Sequence, residues 1–344
     1  MAPNHSLSAL WSKLTPLGQA HQASHPFSRQ RRRFLLVGAG AAIAAACSGP
    51  NQTPSSETPS TATKSVQHVF GETEVPVNPT RIVVLGFFTV EALMALGIEP
   101  IAAPGRLINN LLHLPPTANE IVDIGSPREP SLEQIATLQP DLILSSKGFT
   151  TADTYPLLSQ IAPTVVFDVE GYTDWQALTR LCGEALGKEA EVAQLEADYA
   201  AKLQSLKAQL PKEISQIQVS VASFYTDNRI SAYGKETFTG TVLADAGFSR
   251  PPQQAEGEVL QVSIESLSDI DGDVMFVLKP QSQTEEANDA RAALNKMQEN
   301  PLWKKLKVVQ AQQVYEVDAH WFGTGYIAAN LILDDLSTYL VNPV

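Results

Sequence analysis

The sequence predicts an α/β protein in which two α/β lobes are joined by a long connecting helix and hold a ligand cleft between them. Strand signals alternate with helical segments in two separate parts of the chain, which is typical of parallel sheets with crossover helices. Between those parts, residues 174–210 place apolar side chains at helical spacing and contain no strand signal. A short motif also recurs 132 residues further along. A cleft between two such lobes is the natural place for a ligand.

Composition bounds the function classes. The 344 residues suffice for about two domains of roughly 150 residues each, and 44% hydrophobic content indicates a globular chain. A formal net charge of −13 argues against a nucleic-acid partner, which requires a basic surface. Two cysteines exclude a disulfide scaffold, and the chain contains no CxxC or HExxH pair that would indicate zinc.

Residues 1–46 have the features of an export signal. They contain five basic and no acidic residues, and the run Arg31-Arg32-Arg33-Phe34-Leu35 resembles a twin-arginine motif with Gln30 in the usual Ser or Thr place. The apolar run that follows is too short to span a bilayer and ends at Ala44-Ala45-Ala46-Cys47, which resembles a lipobox. We therefore expect Cys47 to be acylated; the alternative is a plain signal peptide with an incidental cysteine.

The rest of the chain divides by composition and periodicity. Residues 47–65 are rich in Ser, Thr and Pro and predict a disordered tether between the anchor and the folded body. The predicted units that follow are an N-terminal α/β lobe at 66–172, a helical connector at 173–212 and a C-terminal α/β lobe at 213–344. Gly187 is a position at which the connector can break into two helices.

Individual elements follow from local patterns. In the first lobe, apolar runs predict strands at 81–85, 141–144 and 164–167, with helices at 89–96, 131–138 and 153–161. In the second lobe, the same signals predict strands at 219–224, 230–233, 274–278 and 314–317, a helix at 238–246 and a final helix at about 325–340.

The internal repeat joins the two lobes. Ser131-Leu132-Glu133 recurs as Ser263-Ile264-Glu265, and in both copies an Asp eight residues after the Glu (Asp141 and Asp273) opens an apolar strand. A Ser before a helix with a Glu in its first turn is a common N-terminal signal. Two copies in the same helix–turn–strand context predict two lobes of similar architecture.

The sequence provides no catalytic group for an enzyme. It lacks a nucleophile elbow and a phosphate-binding loop. We interpret His113 and His320 as solvated or hydrogen-bonded histidines, because a metal site needs three or four ligands. Cys182 lies on the apolar side of the connector and is interpreted as a core residue.

The chain resembles the iron–siderophore substrate-binding proteins of ABC importers. The resemblance runs from about residue 66 to 341 and includes Thr80–Leu85, Val90–Pro100, Val122–Gly125, Glu129–Glu133, Leu138–Ile143, Phe238–Leu243, Gly272–Val274, Pro301–Trp303, Trp321 and Leu333–Leu336. It implies two α/β lobes bridged by a helix, no enzymatic activity, no metal ligands or cofactor of the protein's own, and a ferric siderophore held between the lobes. It further implies an exported, monomeric protein that docks on an ABC permease dimer through one Glu per lobe, here Glu133 and Glu265.

Candidate ligand contacts combine cations for an oxygen-rich, anionic complex with aromatic rings for its organic backbone. Arg106 and Arg128 lie in loops expected to face the cleft; hydroxamate-binding relatives carry an Arg one place before Arg128. Phe149 stands where such relatives carry a Tyr, and the pair Trp321-Phe322 matches a Trp-Phe pair of the family. Four more candidates cluster around a hairpin of the second lobe: Tyr225, Arg229, Tyr233 and Phe238.

The ligand class remains open at this point. Aromatic candidates outnumber cationic ones, which favours a hydroxamate or a mixed citrate–hydroxamate siderophore over ferric citrate alone. A corrinoid or haem carrier of the same fold is the alternative, since both ligands would also use rings and an Arg. Different in class are an exported α/β enzyme and a sensor lobe that regulates transport.

Overall fold

The structure is a computed structural model, and it describes residues 62–105, 113–170, 172–211, 213–225, 229–279 and 285–341. The predicted signal at 1–46, the predicted lipidation site Cys47, most of the tether and Arg106 lie outside the described residues.

The described chain begins with a β-hairpin. Strand β1 (Thr63–His68) pairs antiparallel with β2 (Gly71–Pro76), from Thr63 opposite Pro76 to His68 opposite Gly71. The N–H of Val69 at the turn donates to the carbonyl of Val166. The placement of residues 63–65 in the tether is therefore wrong, because alternating partly buried side chains and backbone pairing extend the strand back to Thr63.

The first lobe contains a five-stranded parallel sheet in the order β5-β4-β3-β6-β7. Side chains of the three strands β3, β6 and β7 are fully buried, which explains their continuous apolar runs in the sequence. The strands are β3 (Ile82–Val84), β4 (Ala102–Ala103), β5 (Val122–Asp123), β6 (Leu142–Ser146) and β7 (Thr164–Phe167).

Within the described residues of this lobe, three α-helices accompany the sheet, and all three match predicted helices with slightly different ends. They are α1 (Phe87–Ala95), α2 (Leu132–Thr137) and α3 (Tyr155–Ser159). Ser131 caps α2 by accepting a hydrogen bond from the N–H of Gln134 at 3.3 Å. Separate apolar cores cover the two faces of the sheet, one including α1 and the other including Ile135 and Leu158.

Two helices follow the first lobe. Helix α4 (Trp175–Leu186) ends at Gly187, whose left-handed backbone (φ 65°) allows the chain to turn into α5 (Glu189–Gln209). Helix α4 packs against α1, and α5 packs against helices of the second lobe. Cys182 is fully buried on α4, as predicted, and burial raises the pKa of its thiol.

The second lobe contains a five-stranded sheet in the order β10-β9-β8-β11-β12. Strands β8, β11 and β12 are parallel, whereas β9 is antiparallel to both of its neighbours. The strands are β8 (Val219–Phe224), β9 (Ile230–Tyr233), β10 (Val259–Val262), β11 (Val274–Leu278) and β12 (Val314–Val317). The helices are α6 (Phe238–Ala246), α7 (Glu285–Glu299), α8 (Lys307–Gln310) and α9 (Tyr326–Leu336).

The internal repeat has a structural role in both lobes. The carboxylate of Asp141 accepts hydrogen bonds from the N–H groups of Thr80 (2.7 Å) and Arg81 (2.9 Å), immediately before β3. Asp273 accepts one from the N–H of Gln218 (2.9 Å), immediately before β8. Each Asp thus joins the starts of two adjacent parallel strands. The helices of the two copies differ, because residues 264–270 form a 3₁₀ helix where α2 is an α-helix.

Within the described residues, the helices include none with the length and apolar character needed to cross a membrane.

Candidate ligand-binding site between the two lobes

One contact between the two lobes lies in segments that follow the carboxyl ends of parallel strands, because α1 follows β3 and the start of α9 follows β12. Loops from these ends carry most of the candidate residues, in agreement with the general position of ligand sites in open α/β sheets. We call this region the interlobe edge. It includes the residues that directly follow β3, β5, β6 and β7 in the first lobe and β8, β11 and β12 in the second.

One buried carboxylate connects the lobes at this edge. Glu91 of α1 is 0% exposed, and its oxygens accept hydrogen bonds from the N–H groups of Thr324 (2.7 Å) and Ala328 (2.7 Å). The Thr324 hydroxyl donates to the same carboxylate at 3.2 Å. These donors lie at the start of α9, where backbone N–H groups lack helical partners and favour a negative charge.

His113 is the ionisable partner of that carboxylate. Its Nε2 lies 3.3 Å from Glu91 Oε2, and its side chain is 3% exposed. Burial alone would raise the pKa of Glu91, but the hydrogen bond and charge of His113 and the backbone N–H groups outweigh it and lower this pKa. Both predictions for the isolated histidines are confirmed, since His320 Nε2 lies 2.8 Å from Asp335.

Trp321 lies in the core and not on a surface that a ligand can reach. Its side chain is 1% exposed, its indole N–H donates to Asp335 at 2.8 Å, and its ring centroid lies 4.4 Å from that of Phe276. This burial argues against the predicted contact of Trp321 with a ligand. The short 3₁₀ helix 319–322 turns the indole inward, where a carboxylate of α9 satisfies its single donor.

Phe238 is buried in the same way. It is 2% exposed and packs edge-to-face on Trp175, with the ring centroids 5.6 Å apart. Tyr199 and Tyr326 contact the same Trp175 ring. Phe238 therefore belongs to an aromatic cluster that joins the helices of the connector to the second lobe, which argues against its predicted role as a ligand contact.

Phe322 and Tyr233 form the aromatic pair that remains accessible in the second lobe. The Phe322 side chain is 37% exposed, and its ring stands edge-to-face on Tyr233 with the centroids 5.4 Å apart. The hydroxyl of Tyr233 lies 3.2 Å from that of Ser223 on the neighbouring strand. This pair presents an apolar surface with one polar group.

Phe149 occupies the corresponding place in the first lobe. It follows β6, is half-buried, and its ring centroid lies 6.4 Å from that of Phe88. A Cβ atom on Gly86 would lie 3.0 Å from the Phe149 ring, so Gly86 allows the ring to lie against the start of α1. Phe149 thus covers the end of β3 and leaves part of its ring exposed.

The remaining candidates, Tyr225 and the two arginines Arg229 and Arg128, lie in two different loops. Tyr225 and Arg229 close the β8–β9 hairpin, where the guanidinium carbon lies 4.9 Å from the Tyr225 ring centroid and the Tyr225 N–H donates to the Arg229 carbonyl. Arg128 is exposed in the loop between β5 and α2.

Two lysines that the sequence analysis did not select lie at equivalent ends of the two sheets. Lys147 follows β6 and pairs with Asp168 (2.7 Å) and Glu170 (3.5 Å), while Lys279 follows β11 and pairs with Asp318 (3.1 Å). Both ammonium groups belong to side chains about one third exposed. The sequence could have predicted this pair, because the two lysines are separated by the same 132 residues as the two copies of the repeat.

The two glutamates assigned to permease docking lie at equivalent positions. Glu133 is in the first turn of α2, and Glu265 is in the first turn of the 3₁₀ helix 264–270. Both side chains are exposed. Hydrogen bonds from its own backbone N–H and from the Ser263 hydroxyl lower the pKa of Glu265, so this group is fully charged at neutral pH.

Across the described ranges, no group of three or more His, Cys, Asp or Glu side chains is arranged to hold a metal ion. The two five-stranded α/β sheets, with candidate aromatic and cationic side chains in loops after their strands, are consistent in class with a two-lobed binding protein. Residues 82–320 match the periplasmic binding protein family, and the chain belongs to that family. The expectation of a substrate-binding protein and not an enzyme is thereby confirmed.

Similar proteins cover nearly the whole folded part. The chain is 33% identical over 313 residues to a probable siderophore-binding lipoprotein of Bacillus subtilis, covering 87% of this chain and 94% of the relative. It is 28% identical over 280 residues to a ferric-citrate-binding protein of the same organism, covering 80% and 85%. The crystal structure of Staphylococcus aureus SirA complexed with staphyloferrin B is 28% identical, covers 80% of this chain and 97% of that one, and has a TM-score of 0.65.

The interlobe carboxylate makes a prediction about stability and pH. Glu91→Gln keeps the side-chain volume and removes the charge, so we expect the free energy of unfolding to fall by about 1–3 kcal/mol at pH 7. Because folding lowers the pKa of Glu91, the charged form stabilises the fold fully above about pH 4.5. This contribution is lost as the pH falls through the folded pKa.

Urea unfolding of the wild type and of Glu91→Gln between pH 7 and pH 3 measures this difference. The gap between the two curves should narrow at acid pH, and the exposed Glu99→Gln should match the wild type throughout. A gap that stays constant down to pH 3 would show that the charge of Glu91 does not stabilise the fold.

Proposed function

We propose that the protein is an extracytoplasmic, lipid-anchored binding protein that captures a ferric siderophore and delivers it to an ABC permease. The observation that carries this proposal is the similarity to a probable siderophore-binding lipoprotein along nearly the whole of both chains. The acidic body, the lack of a catalytic constellation in the sequence and the two-lobed fold support the same function.

The side chains at the interlobe edge favour a ligand that carries carboxylate groups. Trp321 and Phe238 lie in the core, so fewer rings remain at this edge than the sequence suggested. The candidate cations Arg128 and Arg229 remain, and Lys147 and Lys279 also stand there, each already in an ion pair with neighbouring carboxylates. A relative that is 28% identical is a ferric-citrate-binding protein. Lysine and arginine side chains bind carboxylates through charge-assisted hydrogen bonds. We therefore favour a citrate-containing siderophore, including the mixed citrate–hydroxamate type, over a pure hydroxamate.

Within this proposal the ligand lies between the exposed rings of the two lobes. Phe149, Tyr225, Tyr233 and Phe322 cover the organic part of the complex, and the cations Arg106, Arg128 and Arg229 meet its oxygen shell. A corrinoid or haem carrier is the alternative function. The first assay separates these ligands by titrating the purified protein with ferric citrate, a ferric citrate–hydroxamate, a ferric trihydroxamate, haem and cobalamin.

The first prediction concerns Phe322. An iron complex at the interlobe edge absorbs strongly near Trp321, so ferric citrate or a citrate–hydroxamate complex should quench the intrinsic Trp fluorescence. Phe322→Ala should weaken binding by about 1–3 kcal/mol if the ring is an anchor. Leu302→Ala removes an equally exposed apolar side chain away from this edge and should bind normally. Unchanged affinity in Phe322→Ala would exclude this ring from the site.

The second prediction concerns delivery. Exposed carboxylates at equivalent places on two lobes suit a two-fold partner, since each lobe can meet one permease subunit with the same ion pair. Combining Glu133→Ala with Glu265→Ala should lower iron–siderophore uptake in cells and leave ligand affinity unchanged. Glu189→Ala with Glu213→Ala removes two other exposed glutamates and should transport normally. Normal uptake by the first variant would show that both residues only stabilise the starts of their helices and do not dock on the permease.

The third prediction concerns the anchor. If Cys47 is the acylated first residue of the mature protein, radiolabelled palmitate should label the wild type and not Cys47→Ala, and the variant should leave the membrane fraction. Cys182→Ala is the matched control and should retain the label, because the native Cys182 thiol is buried. Label that persists in Cys47→Ala would contradict the lipobox interpretation.

A further inference from the structure

Residues 323–328 at the start of α9 enclose the Glu91 carboxylate, and we call this enclosure the socket. Gly325 precedes α9 at the N-cap position and has no side chain to cap the helix, so the Glu91 carboxylate takes that role from the other lobe. A Cβ atom on Gly325 would lie 3.1 Å from Glu91 Cγ and 3.3 Å from Oε1. A Cβ atom on Gly323 would lie 1.9 Å from the Cβ of Ala328. Glycine at both positions therefore lets the segment close around the carboxylate.

The socket lies next to the accessible rings of both lobes. On one side, Phe322 immediately precedes Gly323, and its backbone is further fixed because the Thr239 hydroxyl donates to the Trp321 carbonyl. On the other side, α1 carries Glu91 and begins at Phe87, directly after Gly86, against which Phe149 packs. A single carboxylate thus links the segments that carry one candidate ligand ring from each lobe.

His113 extends this arrangement to a third segment. Its buried Nε2 pairs with Glu91, and its Nδ1 is buried without a partner among the described residues. The residue lies in the segment that connects β4 to β5. Glu91 therefore fixes parts of three loops that leave the carboxyl ends of the two sheets.

A buried charge is not the most stabilising way to join two lobes, because removing it from water costs free energy. Well-packed apolar side chains of similar volume often stabilise as much or more, and a buried ionic group is retained where it specifies one geometry. We propose that Glu91 is a positioning residue for ligand binding, which holds the two lobes at one separation and thereby sets the spacing of Phe149 and Phe322. Its effect on ligand affinity rests on the function proposed above, whereas its effect on the lobe separation does not.

The primary test measures the lobes without ligand. Spin labels at Glu133→Cys and Glu265→Cys report the distance between the lobes in a full chain carrying Cys47→Ser, in which buried Cys182 is the remaining native thiol. Double electron–electron resonance spectroscopy should give a narrow distance distribution in the parent and in the control Glu99→Gln. Glu91→Gln should broaden or shift the distribution in samples frozen from a temperature well below its unfolding transition.

A purely structural role would give a different result. In that case Glu91→Gln would lower the unfolding temperature and leave the distance distribution of the folded protein unchanged, which would overturn the proposal. If Glu91→Gln does not fold, Thr324→Val removes one donor to the same carboxylate and keeps the charge, and it should broaden the distribution to a smaller extent.

The effect on binding is tested by a double-mutant cycle with ferric citrate as the probe. Glu91→Gln should raise the Kd at least fivefold, and this increase should be smaller in a Phe322→Ala background, because Glu91 acts through that ring. Equal increases in both backgrounds would show that Glu91 does not act through Phe322. Failure of the wild type to bind ferric citrate would count against the proposed ligand class and leave the distance test decisive for Glu91.

Discussion

The contact between the two lobes depends on one buried carboxylate, Glu91, which belongs to the first lobe and accepts hydrogen bonds from the second. Glu91 replaces water with the N–H groups of Thr324 and Ala328, which lie more than 230 residues away in the chain. An unpaired carboxylate in this position would cost several kcal/mol, so the two lobes can separate here only by exposing or protonating it. The helices α4 and α5 form a second, apolar link through Trp175 and its aromatic neighbours. Together these links hold the facing edges from two sides.

Each lobe is built on the same plan, and the plan explains why cations appear in pairs at the edge. Asp141 and Asp273 fix the beginning of the central strands, and Lys147 and Lys279 stand where the strands β6 and β11 end. Strands at equivalent places thus carry a lysine at the same end in both lobes. The lobes differ where β9 runs antiparallel and forms the hairpin with Tyr225 and Arg229, so the second lobe presents a different surface.

Sequence patterns predicted the architecture well because strands buried on both faces and amphipathic helices are local signals. The strands at 164–167, 219–224, 230–233, 274–278 and 314–317 have the predicted bounds. The site was less predictable, because exposure is decided by tertiary packing. Trp321 and Phe238 have the residue types of a ligand wall, yet partners in α9 and α4 draw them inward. Glu91 stood inside a recognised motif, but its role depends on donors that no local pattern relates to it.

The burial of Cys182 also determines the redox chemistry of the folded body. Thiols outside the cytoplasm meet oxidants and disulfide-exchange partners, and exchange requires an accessible thiolate. The side chain of Cys182 is 0% exposed, and its raised pKa keeps it protonated at neutral pH. The described part of the chain therefore presents no thiol for mixed disulfides. The described part of the protein can therefore work in an oxidising environment without modification of its thiol.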